Sequence, residues 1–85
     1  MTEESIDLLD ALEMVDNPII WKTKGDDFFK KGNFEDAIRC YTYAIELKPD
    51  FIDAWSGMRT SFLKLGRDKE SNKCTEKIKQ IIAKF

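Results

Sequence analysis

The 85-residue chain contains no histidine and only two cysteines, Cys40 and Cys74. The side chain most often used for acid–base catalysis at neutral pH is therefore missing, and a zinc site would need carboxylates to complete it, an uncommon set. Two thiols in a chain that shows no secretory signal are expected to stay reduced and partly buried, without a disulfide. There is also no run of about eighteen apolar residues, and the first twenty residues are acidic where a leader would be basic and then apolar. The chain is read as cytoplasmic, with no membrane partner. An excess of positive charge is lacking too, since the net charge is −2, so the usual footprint of a nucleic-acid partner is absent. No stretch alternates with period two for long enough to predict a strand.

What is present fits a small folded domain. At 42% apolar and 35% charged residues, the composition supports a core, although a chain this short keeps that core thin. Charge is unevenly placed. Residues 1–17 carry Glu3, Glu4, Asp7, Asp10, Glu13 and Asp16 with no base, whereas 67–85 carry Arg67, Lys69, Lys73, Lys77, Lys79 and Lys84 against three acids. A shift of thirty-four positions superposes Trp21 on Trp55, Phe28 on Phe62, Lys30 on Lys64, Gly32 on Gly66, Cys40 on Cys74 and Phe51 on Phe85. Chance would give roughly two identities. The shift divides the chain into an acidic N-terminal segment (1–17) and two units, 18–51 and 52–85.

Each unit reads as two helices. Asn17 can cap and Pro18 can take the first helical position, while Gly32 can adopt the left-handed conformation that stops the helix, which predicts a helix over 18–31. Asn33 with Asp36 resembles a capping pair, and Phe34, Ala37, Ile38, Tyr41, Ala44 and Ile45 recur at helical spacing until Lys48-Pro49, which predicts a helix over 34–47. In the second unit Asp50 or a neighbour can cap. Trp55, Met58, Phe62 and Leu65 then form a stripe ended by Gly66, and a last helix over about 68–84 places Cys74, Ile78, Ile81, Ile82 and Phe85 on one face. Residues 5–15 also show an amphipathic pattern, giving about five helices and an all-α fold.

Trp21-x2-Lys24-Gly25-x2-Phe28, then Ala37-x3-Tyr41 and Pro49, resembles the tetratricopeptide repeat signature, with Lys24 in place of its leucine. Gly25, Ala37 and Ala44 are small where two antiparallel helices approach, and Trp21, Phe28 and Tyr41 fill the space beside them. The second unit departs from the pattern at Arg59, Thr75, Ile78 and Ala83, and its last helix is read as a cap. Residues 5–13 resemble the second helix of a preceding repeat. The resemblance implies antiparallel helix-turn-helix repeats stacked as a short right-handed α-solenoid whose concave face binds peptide segments. It carries the groove-facing role to Ile19, Lys22, Asp26, Phe29 and Lys30, and to Asp53, Ser56, Thr60, Leu63 and Lys64.

A protein-interaction module with a protein or peptide partner follows as the expected function, with no enzyme activity, cofactor or metal. Some members of this family clamp acidic chaperone tails through Lys and Asn. Lys22 matches the first clamp lysine, but Asp26 and Gly57 stand where asparagines would. Phe29 and Leu63 read either as ordinary exposed apolar residues or as a ligand-facing pair beside Lys30 and Lys64. Asp26-Asp27 and Glu35-Asp36 are solvated or capping acids, since neighbouring residues on a helix point apart. The opposed terminal charges allow a monomer or a weak head-to-tail oligomer.

Overall fold

A computed structural model describes residues 17–85. The predicted helix over 5–15 lies outside the described residues. Within them are four helices, α1 (Pro18–Lys30), α2 (Phe34–Leu47), α3 (Ile52–Lys64) and α4 (Asp68–Ala83), and no strand. The all-α expectation holds, and α3 and α4 begin thirty-four positions after α1 and α2.

Local chemistry accounts for the helix ends. Asn17 is extended, and its Oδ1 accepts the Ile19 N–H at 3.0 Å while Pro18 occupies the first helical position, where its missing N–H removes no intrahelical bond. At the other end Gly32 has φ of 82°. Its N–H reaches the Phe29 carbonyl at 3.0 Å and the Asn33 N–H reaches that of Phe28 at 2.9 Å, satisfying carbonyls the helix leaves open. Gly66, with φ of 75°, and Arg67 repeat both bonds onto Leu63 and Phe62.

Two predicted caps do not form. Asn33 makes no side-chain cap to α2. Its backbone already closes α1, and Asp36 instead accepts from the Arg39 guanidinium at 2.8 Å. The residue before α3 is Phe51, without a side-chain cap, and Asp50 faces Lys84 at 3.6 Å.

The helices pack in series, each on the next, and α1 also touches α3. The core contains Ala37, Tyr41, Ala44, Ala54, Met58 and Cys74. The small residues let the helices close, and Tyr41 alone contributes roughly 1.5–3 kcal/mol of burial on the scale for large side chains. Its ring separates α1 from α3: a Cβ at Gly25 would lie 2.8 Å from it and one at Gly57 2.4 Å.

The two indoles occupy equivalent seams with different covers. Trp21 meets Tyr43 at 4.7 Å between ring centroids. Trp55 has the Lys77 ammonium 6.0 Å from its ring, and its indole N–H donates to the Pro49 carbonyl at 2.9 Å. Tyr43 and Lys77 are again thirty-four positions apart.

The expected stripe on α4 is narrower than its spacing suggested. Cys74 and Ile81 are buried, but Ile82 and Phe85 are exposed, because α4 packs mainly on α3 and Phe85 lies past its end. Arg59, where a small residue was expected, has a buried Nε without a hydrogen-bond partner.

Candidate functional site

A depression of about 280 Å³ lies where α1 and α3 face each other, lined by Asp26, Phe29, Tyr41, Ser56, Gly57 and Thr60. Both helices run through it in the same register of the thirty-four-residue offset, and α2 supplies its floor through Tyr41. Of the residues assigned to a groove from sequence, Asp26, Phe29, Ser56 and Thr60 come together here. Lys22 stands at the edge, one helical turn from Asp26. Lys30 and Lys64 are exposed and Leu63 is 52% exposed, and all three lie outside the lining. Ile19, 62% exposed, lines a different depression with Ile20, Thr23, Lys24 and Asp27.

Phe29 is half-buried, not free, because Phe34 meets it edge-on at 5.2 Å between centroids. The apolar pair is therefore uneven, with Leu63 standing clear and Phe29 offering one part of its ring.

The polar floor is internally paired. The Tyr41 hydroxyl donates to Asp26 Oδ1, and Lys22 Nζ lies 2.8 Å from Asp26 Oδ2. Burial, followed by the hydrogen bond to Asp26, pushes the Tyr41 phenol well above its ordinary range. The Lys22 ammonium is also held above its usual value, chiefly by its hydrogen bond to Asp26, with Asp53 adding to the effect. Around the wall, the Thr60 hydroxyl donates to the Ser56 carbonyl at 3.1 Å and the Ser61 hydroxyl to that of Gly57 at 2.9 Å, so these hydroxyls bond back to their own helix.

Tyr41 and Gly57 were not among the groove residues read from sequence. Tyr41 counted as filler between paired helices and Gly57 as a lost asparagine. The signal joining them was available: a small residue on the helix after a buried aromatic leaves room for that ring.

The site offers a shaped, partly apolar surface with balanced charge. Among the described residues no three His, Cys, Asp or Glu side chains converge as a metal site, and no helix is long and apolar enough to cross a membrane.

Comparison with known proteins agrees with this architecture. The family model described as TPR repeat matches residues 25–66. A DnaJ homolog subfamily C member 7 homolog of Dictyostelium discoideum is 50% identical over 40 residues, covering 47% of this chain and 7% of that protein. Hsp70-Hsp90 organizing protein 2 of Arabidopsis thaliana is 41% identical over 56 residues, 66% of this chain and 10% of its own. Mitochondrial import receptor subunit TOM70 of Rattus norvegicus is 36% identical over 77 residues, 81% and 13%. The chain thus spans about a tenth of the length of these curated relatives.

Proposed function

Because residues 25–66 of the chain belong to the tetratricopeptide repeat family, we propose that it is a cytoplasmic protein-interaction module that holds an extended peptide segment in the α1–α3 depression. The observation that carries this reading is the lining itself: Asp26, Phe29, Ser56, Gly57 and Thr60 from two equivalent helices, over the Tyr41 ring. Phe29 and Leu63 supply apolar contact, which gives most of the binding energy in small interfaces. Lys22, Lys30 and Lys64 around them favour a peptide that also bears an acid.

Amide-shift mapping with peptides carrying one large apolar side chain and one acid tests it. The expected response is contiguous over 19–30 and 53–64, and replacing Phe29 and Leu63 together by alanine weakens binding by about tenfold, as for anchor residues generally. A response confined to α4, or binding indifferent to both substitutions, would remove the assignment.

A second reading is capture of an acidic chaperone tail. The similarity to Hsp70-Hsp90 organizing protein 2 and the position of Lys22 favour it. The pairing of Lys22 with Asp26 and the seating of Tyr41 against Gly57 oppose it, so the apolar anchor is the reading adopted.

A further inference from the structure

A second concavity lies on the other hairpin and shares no residue with the first. It has a volume of about 370 Å³ and runs between α3 and α4, floored by Trp55, Met58, Phe62 and Cys74 and edged by Lys73 and Lys77. Glu70 also borders it, but its carboxylate is held by Arg67 at 3.0 Å. Neither Lys73 nor Lys77 is ion-paired among the described residues, and Lys77 extends over the Trp55 ring. Thirty-four positions earlier Trp21, Phe28 and Cys40 repeat the floor and Arg39 stands for Lys73, but Lys24 replaces Met58, Tyr43 replaces Lys77 and Arg39 is paired with Asp36. The first hairpin's floor is therefore interrupted by a lysine, and its Trp21 is covered by Tyr43 in place of a cation.

We infer that this groove receives residues 1–16 of a second copy of the chain. That segment carries six acids and no base, the complement of the groove edge. Leu8, Leu12 and Val15 recur in it at helical spacing with Leu9 alongside, an apolar stripe suited to an apolar floor. The segment precedes α1, which packs on α2 and α3, whereas the groove belongs to the second hairpin, so a second copy is the donor proposed. Donor and receptor surfaces differ, so the contact is head-to-tail and can propagate.

Sedimentation velocity of the full chain tests this. At low salt the sedimentation coefficient rises with concentration, and about 0.5 M salt suppresses the rise because exposed charges are screened. Lys73→Glu with Lys77→Glu, and separately Asp7→Lys with Asp10→Lys, each weaken association at least tenfold, while an equimolar mixture of the two restores it. In a Trp21→Phe chain, a synthetic peptide of residues 1–16 changes Trp55 emission and competes with self-association. This titration uses the unreversed groove, so it remains decisive if a charge-reversed variant folds poorly. A monomer at every concentration in low salt, association untouched by either reversal, or a peptide that leaves Trp55 emission unchanged overturns the proposal. Docking independent of concentration, which would place the segment on its own chain, overturns it as well.

Discussion

The ring of Tyr41 occupies the place a side chain at Gly57 would need, with only 2.4 Å between its Cζ and the Cβ that alanine would add. Gly57→Ala therefore sets two effects against each other. Helix propensity favours alanine by about 0.8–1.0 kcal/mol, while overpacking a filled core costs about 1–3 kcal/mol. A net loss of about 1 kcal/mol is expected in urea unfolding. Adding Tyr41→Leu, which vacates the space, should turn the same alanine substitution neutral or stabilising relative to Tyr41→Leu alone.

Four groups set the response to alkali. Tyr41 is raised above its ordinary 10.0 by burial first and Asp26 second. Cys40 and Cys74 are raised above 9.0 by burial, and Lys22 above 10.5 by its hydrogen bond to Asp26. Each favours the protonated form in the folded state. Their contribution is therefore complete below the unfolded values and is lost as pH rises through the folded ones. The melting temperature should be flat from neutral pH to about 9 and fall above it. Tyr41→Phe combined with Cys40→Ala and Cys74→Ala should flatten that fall.

Asp26→Asn separates the two readings of the groove. It removes the charge partner of Lys22, a half-buried i,i+4 pair, while the amide oxygen can still accept from the Tyr41 hydroxyl, so folding loses about 1 kcal/mol. If Lys22 can hold a carboxylate, calorimetry at low salt should show about three- to tenfold tighter binding of a peptide with an acidic C-terminus, roughly 1 kcal/mol. Unchanged affinity would mean that Lys22 plays no such role.

The thiols should report on opening of the core. Both are free and buried, and the thiolate is the reactive form. Alkylation at neutral pH should run at least about a hundredfold slower than in denaturant, corresponding to about 3 kcal/mol of local opening. Cys74 lies under the α3–α4 groove, so the 1–16 peptide should slow its labelling further while leaving Cys40 unchanged.

Helix positions were readable in the sequence because they depend on local chemistry. Asn17, Pro18, Gly32, Lys48 and Gly66 act on their own backbone, and α2 ends at Leu47 as Lys48-Pro49 requires. Predictions that needed two elements at once fared less well. Asn33 was read as a cap for α2, but a two-residue turn that closes α1 has already committed its backbone. Phe29 was read beside the core, and Phe34 covers it from the next helix. Four of the ten groove residues meet in one depression, since the offset of thirty-four fixes which faces of α1 and α3 correspond. Tyr41 was assigned to the interior because its burial, unlike its place under two glycines, follows from spacing alone.

Tyr41 touches the first hairpin at Gly25 and the second at Gly57, so one aromatic thickness sets how far apart their leading helices stand. Opening the cleft to admit a bulkier guest would leave that ring uncovered; closing it would force atoms into overlap. On the proposed function the module would select among guests by shape, as a gauge block does, and the two hairpins should melt as one cooperative body.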